Sequence, residues 1–521
     1  MKRSYEYNVG NKKIKREYDY IPVRYILAIL ITIFEIATII GIVAVLCYYV
    51  PYFYLLAYAT QIACVIKIIA SSDNPDYKVP WLLFVLILPI AGFMLYMMMY
   101  SRTLKRKYIK RLKDLDDRMY HKEDKPDFEN LKEKNLTAYS QAKMLCQISY
   151  GHLFKEENQK YYSLGEDLCK DLIEDLKNAR RFIFMEYFII EEGKLWNEIL
   201  EILKEKSSQG IEVRIVYDDI GCMKTLPGDY FKKLRKMGID ATPFSFLRGQ
   251  ADSEFNNRNH RKITVIDGII GYTGGINLAD EYINKKSRFG HWKDGGIRIT
   301  GECVHELTRL FLIDYGINVK NLPKAKHDYF TETKKSNKNG YVIPFGDGPR
   351  PLYKREVAKC AIMNMLNSAT RYAYITTPYL IIDNELCKCI ENTALRGVDV
   401  KIILPHIPDK KLIHSMSRSF YPRLIDAGVE IYEYREGFIH SKNYITDDEY
   451  AIVGTVNLDY RSLVHHFENA VWMYDCDVIV DIKNDFDLTL EKSVKMDKQS
   501  LKINLFKRFF RACVRVFAPL L

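Results

Sequence analysis

Two short stretches of this chain carry residues whose types and spacing suit phosphoryl chemistry. His260, Lys262 and Asp267 stand in NHRKITVIDGIIGYTGGIN (259–277), which ends on Asn277. The same set returns as His440, Lys442, Asp447 and Asn457, every member displaced by 180 positions. Imidazole can attack and exchange protons near neutral pH. A lysine two residues further along an extended strand shares the histidine's face, and its ammonium can hold a phosphate oxygen as charge builds in the transition state. Asn277 and Asn457 add neutral donors for the same oxygens. One histidine alone reads more naturally as a core residue. Two copies with identical internal spacing, each closing on a Gly-x-x-Asn turn, do not.

The elements that must position these stretches repeat as well. In the first half, strands are predicted at Arg181–Ile190, 210–219 and 238–244, with helices at Leu195–Lys206 and Asp229–Met237 between them. In the second half a helix at Lys354–Asn367 leads to a strand at Arg371–Thr377. A helix at Asn384–Leu395, a strand at 397–403, a helix at His414–Ala427 and a strand at 428–434 follow. Alternating strands and helices predict an α/β layered fold in each half. A repeat this long fits two domains about a pseudo-twofold axis better than a solenoid. Such an axis sets the two histidines face to face across one cleft, as a shared phosphate requires. The polar stretch Lys324–Gly340 reads as the boundary between halves.

The 521 residues carry a net charge of +11, a surplus that suits an anionic partner, either nucleic acid or an acidic bilayer. Eleven cysteines without a paired framework read as free thiols in a reducing compartment. A basic tail precedes three apolar runs, Tyr25–Val50, Tyr52–Ala70 and Val79–Tyr100. About 20 apolar residues cross the hydrocarbon, so the sequence admits two or three spans. The first run is too long for a cleaved signal peptide. Arg102, Lys105, Arg106, Lys107, Lys110 and Arg111 follow the third run and place its exit in the cytoplasm. The connection Ser71–Pro80 is then expected outside. Three spans would put the basic N-terminus outside too, against the same rule.

The duplicated H-x-K-x4-D resembles the mark of the phospholipase D superfamily. Within it, MEYFII (185–190), RNHRKITVIDG (258–268), YITTPYL (374–380), GFIHSK (437–442) and GTVNLDYRS (454–462) most resemble bacterial cardiolipin synthases. NPDYKVPWLLFVLILPIAGFMLY (74–96) looks like the last span of those enzymes. The resemblance implies two pseudo-twofold-related phospholipase D-like domains, each a mixed sheet flanked by helices, after a transmembrane helical region. It implies that His260, Lys262, Asp267, His440, Lys442 and Asp447 are catalytic, and that one histidine is phosphorylated while the other serves as acid, then base. Glu468, in HHFENAV, stands where the family places a carboxylate that holds a histidine. The matching position of the first half is Arg288, so Asp294, in HWKDGGIRI, is the expected counterpart.

The implied reaction is phosphatidyl transfer between two phosphatidylglycerols, giving cardiolipin and glycerol. No metal or other cofactor is expected, since two lysines supply the charge. The expected partners are phosphatidylglycerol and anionic lipids of a bacterial cell membrane, with no nucleic acid, in a multi-pass protein whose catalytic domains face the cytoplasm. A hydrolytic phospholipase D or another head-group transferase would keep the same residues. A nuclease of the superfamily fits the charge but not the apolar runs, and a scaffold would be expected to lose motif residues. The resulting division is a tail (1–24), a membrane region (25–100), a connector (101–140), a first domain (141–323), a linker (324–345), a second domain (346–495) and a basic amphipathic helix (496–521). That last helix, too charged to span, suits the surface of an anionic bilayer.

Overall fold

The computed structural model describes residues 2–9, 12–19, 23–50, 52–71, 74–88, 91–99, 125–244, 257–319, 328–331, 333, 338–350 and 352–520. The stretch read as a polar tail forms an antiparallel hairpin of β1 (Lys2–Val9) and β2 (Lys12–Asp19). Helices α1 (Val23–Tyr49) and α2 (Phe53–Ala70) follow, and each contains 18 residues long and apolar enough to cross a bilayer.

The third apolar run departs from the expectation of a further span. It forms two short helices, α3 (Pro75–Ile87) and α4 (Ala91–Met99), neither of which reaches across the hydrocarbon. Leu88, which precedes a proline in the sequence, leaves the helical region at φ −122 and ψ 83. The chain then doubles back so closely that a Cβ on Gly92 would lie 2.4 Å from the Phe84 carbonyl oxygen. Carbonyls exposed where a helix stops in an apolar setting need a partner. Gln61 of α2 supplies it, donating to Val85 at 2.9 Å and Leu86 at 3.0 Å. The connection expected outside instead docks on the second catalytic half. Asn74 donates to Asp383, Asp76 accepts from the Asn384 amide and the Tyr460 hydroxyl, and the Tyr77 and Tyr460 rings meet edge to face at 5.3 Å.

Of the predicted connector, 101–124 lies outside the described residues. The rest forms α5 (Lys125–Lys134) and α6 (Leu136–Ser149). The strands that follow are β3 (Phe154–Lys155), β4 (Lys160–Tyr162), β5 (Phe182–Tyr187), β6 (Glu212–Asp218), β7 (Asp240–Phe244), β8 (Lys262–Ile266), β9 (Ile270–Gly274), β10 (His291–Lys293) and β11 (Gly296–Thr300). Helices α7 (Gly165–Asn178), α8 (Lys194–Ser208), α9 (Tyr230–Arg235) and α10 (Val304–Asn318) accompany them. The second half contains β12 (Tyr341–Asp347), β13 (Tyr372–Thr376), β14 (Leu380–Ile381), β15 (Asp399–Pro405), β16 (Glu430–Tyr434), β17 (Gly437–Ile439), β18 (Asn443–Thr446), β19 (Tyr450–Gly454), β20 (Leu458–Asp459), β21 (Glu468–Tyr474) and β22 (Ser493–Lys495). Its helices are α11 (Val357–Ser368), α12 (Asn384–Leu395), α13 (Lys411–Ser417), α14 (Tyr421–Asp426), α15 (Val478–Glu491) and α16 (Leu505–Val516). The helix predicted over 414–427 is thus two, because Pro422 can occupy a first helical turn but cannot continue one.

The first sheet runs β4-β11-β9-β8-β5-β6-β7, and the second β22-β16-β15-β13-β18-β19-β21-β12-β3. Six strands correspond in the same order, β11-β9-β8-β5-β6-β7 with β21-β19-β18-β13-β15-β16, which is the duplication in three dimensions. In each set the last three are parallel and joined through helices on the outer face. One apolar layer, with Phe184, Ile263, Val265 and Ile297 from the first sheet and Ile445, Val453, Val471 and Met473 from the second, binds the halves together. The halves are not cut where the sequence divides them. Phe154–Lys155 falls within the expected first domain yet forms the edge of the second sheet against β12, and β12 begins in residues expected to be linker. Leu131, Ala138 and Leu145 of α5 and α6 are likewise buried in the second half's core.

Asp267 and Asp447 belong to this framework rather than to the histidines. Each follows its strand at positive φ, 55 and 57, about 16 Å along the chain from Lys262 or Lys442. Asp267 accepts from the amides of Arg180, Arg181 and Phe182, and Asp447 from those of Thr370, Arg371 and Tyr372. They pin the first turn of β5 and β13 to the end of the motif strand. Asp447→Asn, which tolerates positive φ but loses the charge, is expected to cost about 1.5–3 kcal/mol. That corresponds to a fall in Tm of roughly 3–10 °C in detergent, with turnover per folded enzyme kept within about threefold. A large loss of turnover at unchanged Tm would show that the aspartate acts in the chemistry instead.

Candidate active site

Each motif histidine stands at a strand end that is paired with the other half. The His260 amide donates to the Phe467 carbonyl at 2.9 Å, beside a parallel bridge between Asn259 and Phe467. The His440 amide donates to the Lys293 carbonyl at 2.6 Å, where β10 and β17 run parallel. The side chains cross in the same way. His260 Nδ1 is 3.0 Å from Glu468 Oε2, and His440 Nδ1 is 2.6 Å from Asp294 Oδ2. Glu468 lies in the second half and Asp294 in the first, so each carboxylate serves the histidine of the opposite domain. The repeat offset of 180 positions has slipped to 174 between Asp294 and Glu468. Counting by 180 therefore lands on Arg288, which instead sits 3.6 Å from Glu281.

A carboxylate on Nδ1 fixes the tautomer and leaves the Nε2 lone pair for chemistry. Both histidines are buried to 7% exposure, and both carboxylates completely. Burial is the main cause that pushes His260 down to about 3 and His440 to about 4, with the neighbouring lysines adding to it. Both imidazoles are neutral in the resting site. Glu468 stays below the ordinary carboxylate range. Burial alone would raise it, but His260 and then His466 beside it more than offset that. Glu468 also accepts from the Thr455 hydroxyl and, at 2.6 Å, from the Ser462 hydroxyl. Asp294 accepts only the Gly295 amide, at 2.9 Å, besides His440 among the contacts described. Gly275, the counterpart of Thr455, leaves the room Asp294 occupies, since a Cβ there would lie 2.0 Å from its oxygen.

Lys262 and Lys442 are 1% exposed. Lys262 donates to the His260 carbonyl at 2.6 Å, and Lys442 to that of His440. Burial drives Lys262 down to about 7 and Lys442 to about 8; their mutual repulsion depresses Lys262 further, while Glu468 and Asp294 raise both. An anion between them would restore their charge. Asn277 is held by the Ile189 amide on its oxygen and donates to the Tyr282 hydroxyl at 2.8 Å. Asn457 is 5% exposed, and its Oδ1 is buried without a hydrogen-bond partner among the described residues. Of the expected residues, the structure therefore gathers His260, Lys262, Asn277, Asp294, His440, Lys442, Asn457 and Glu468, and leaves Asp267 and Asp447 at the far strand ends.

Four aromatic neighbours were given no role of their own by the motif reading. Phe188 and His466 lie 5.0 and 5.5 Å from the His260 ring, and Trp292 and Tyr282 lie 5.4 and 5.7 Å from that of His440. His466 and Trp292 each stand two residues before the carboxylate, a spacing the sequence does offer. The donor atoms of His260, His466 and Glu468 lie within 4.8 Å of one another, a set that a cation could enter. Glu468 is already engaged by His260, Thr455 and Ser462, and Lys262 adds positive charge beside it. The site suits an anion better.

The family described as cardiolipin synthase, PLD-like domain matches residues 172–287 and 362–489, and a phospholipase D-nuclease N-terminal region matches 60–98. An uncharacterized protein of Streptococcus mutans is 40% identical over 465 residues, covering 88% of this chain and 100% of its own. Cardiolipin synthase 2 of Bacillus cereus is 34% identical over 470 residues, covering 89% and 90%. A cardiolipin synthase of Staphylococcus aureus is 33% identical over 470, covering 85% and 90%. The crystal structure of phosphatidylserine synthase from Haemophilus influenzae superposes with a TM-score of 0.58 at 16% identity, over 73% of this chain and 99% of that one, and shares its fold. The two-domain α/β architecture, the duplicated half-site and these relatives agree: the chain belongs to the family of phospholipase D-like cardiolipin synthases.

Proposed function

We propose that this enzyme transfers a phosphatidyl group from one phosphatidylglycerol to another, giving cardiolipin and free glycerol. The observation that carries the reading is the crossed pairing, which occupies Nδ1 of both neutral imidazoles and leaves Nε2 free beside two buried lysines that feel each other's charge. A phosphodiester entering it meets Lys262 and Lys442 on its oxygens, with the Asn277 and Asn457 amides beside them. Its negative charge restores the ammonium forms and draws a proton onto His440.

His260 Nε2 attacks phosphorus, the bond to glycerol breaks, and His440 protonates the departing oxygen. The hydroxyl of a second phosphatidylglycerol then gives its proton to neutral His440 and attacks the phosphohistidine, which frees His260. Two carboxylate environments support this division of labour. Glu468 shares its charge with Thr455 and Ser462, so it stabilises an imidazolium at His260 less, whereas Asp294 holds His440 at 2.6 Å. A hydrolytic phospholipase would use the same residues with water as acceptor.

The fold also supports a membrane arrangement. If α1 and α2 cross and the α3–α4 hairpin does not, the basic stretches on both flanks share one side. The docking of Asn74–Tyr77 on the second domain puts that domain there too. The positive-inside rule names the side as cytoplasmic.

With phosphatidylglycerol in detergent micelles, cardiolipin and glycerol should appear in equal amounts, at a rate unchanged by chelator. Phosphatidic acid as the main product would support the hydrolase instead. A second experiment separates the histidines. Loss of a positioned acid–base group costs on the order of 10²–10⁴-fold, yet a phosphatidyl p-nitrophenyl ester needs no acid to leave. His440→Ala should therefore release a nitrophenol burst near one equivalent and stall with an acid-labile adduct on the His260 peptide. The same burst from His260→Ala, labelled at His440, would reverse the roles.

The lysines set the pH response. Their ammonium forms are complete only well below 7 and are lost as pH rises through about 7 to 8. Because kcat/KM reports the free enzyme, it should fall through that range, while kcat stays flat because bound phosphate holds both charges. A kcat that falls in step with kcat/KM would contradict this.

A further inference from the structure

Helix α16 has two faces of opposite character. At 100° per residue, Leu505, Phe506 and Phe509 share one narrow arc, and they are 80%, 78% and 67% exposed. The opposite arc rests on the second domain. Val514 packs against its core, Arg511 donates to the Ser415 hydroxyl at 2.8 Å, and the Arg515 guanidinium lies 4.2 Å over the Phe420 ring. Its sequence, LFKRFFRACVRV, holds four cations and no acid. Among the described residues neither Arg511 nor Arg515 is paired with a carboxylate. The Arg511 pKa is lowered, by burial first and by repulsion from Arg418 next. Cations arranged without counterions beside bare aromatic groups fit a partner that brings both phosphate and hydrocarbon.

The position of the helix says which partner. Its end turns onto the membrane hairpin, where Phe517 and Phe84 of α3 lie 5.8 Å apart. Close by, α3 exposes Val79, Leu83, Leu86 and Ile87. The C-terminal end of α16 thus meets α3, which runs from its contacts with the second domain into the apolar region.

We propose that α16 lies in the headgroup layer of an anionic bilayer, with Leu505, Phe506 and Phe509 among the acyl chains, Arg508 on lipid phosphates, and the charges of Arg511 and Arg515 adding to its attraction for the anionic surface. This attachment is separate from α1 and α2 and holds the second domain directly on the substrate surface. It rests on the fold and on the membrane association of the family, not on the identity of the acceptor.

The test uses the full chain in nanodiscs. The anionic lipid is phosphatidylserine, which takes no part in the proposed reaction. In Phe506→Trp, the added fluorescence above the wild-type background should be quenched by acyl-brominated lipid in discs of phosphatidylcholine with phosphatidylserine. Quenching should weaken in phosphatidylcholine alone. It should also weaken as salt rises from about 0.1 to about 1 M, where screening shortens from about 10 to about 3 Å. Leu505→Trp, at an equally exposed position, provides a second probe if the first variant folds poorly. Arg511→Gln with Arg515→Gln should reduce quenching by half or more in the anionic discs. Equal quenching in neutral and anionic discs, or none in either, would overturn the proposal. Quenching lost as the protein pairs into dimers would assign the face to a second copy of the chain, which overturns it as well.

Discussion

Everything in this enzyme depends on two hydrogen bonds exchanged between its halves. A buried imidazole needs its Nδ1 proton held, and each half supplies that service only to its neighbour. The two domains must therefore be packed before either histidine has a defined tautomer, and the shared apolar layer of Phe184, Val265, Val471 and Met473 is what packs them. Duplication alone would have produced two complete small sites. The crossing produces one site with two unlike ends, because Glu468 and Asp294 differ in length and in the donors they already satisfy.

Burial then does for the lysines what the crossing does for the histidines. Two ammonium groups held out of water and close to each other are poorly charged without an anion, and a phosphodiester is the ligand that relieves them. The cleft thus stores its preference for phosphate as an electrostatic deficit. Burial is also the main cause that keeps both imidazoles neutral in the resting site.

The H-x-K strands, their flanking elements and the second carboxylate were legible because spacing is a sequence property. Other features were not. The slip from 180 to 174 positions is an insertion difference between the two halves, invisible to a fixed offset, which lands on Arg288; the family resemblance, not the spacing, pointed to Asp294. Asp267 and Asp447 look catalytic because they travel with the motif, yet they travel with it to hold the start of the neighbouring strand. Apolarity marks Val79–Tyr100 as membrane material but says nothing of where a helix stops, which depends on Leu88 and on the reach of Gln61 from another helix. The strand Tyr341–Asp347 was hidden because its partners, β21 and β3, lie more than 120 residues later and 180 residues earlier in the chain.

That last arrangement bears on how the chain is made. Phe154–Lys155 leaves the ribosome long before β12, its partner, exists, and β12 in turn waits for β21. The second sheet can close only when nearly the whole polypeptide has been synthesised, while the seven strands of the first can assemble earlier on their own partners. Such long-range pairing makes for slow, late maturation. It also means that splitting the gene at the boundary between the repeats would not yield two self-sufficient pieces, since the downstream piece would lack an edge strand and the helices that cover its core. A duplicated ancestor has become a chain whose ends are stitched through one another, and its second half has lost the capacity to stand alone.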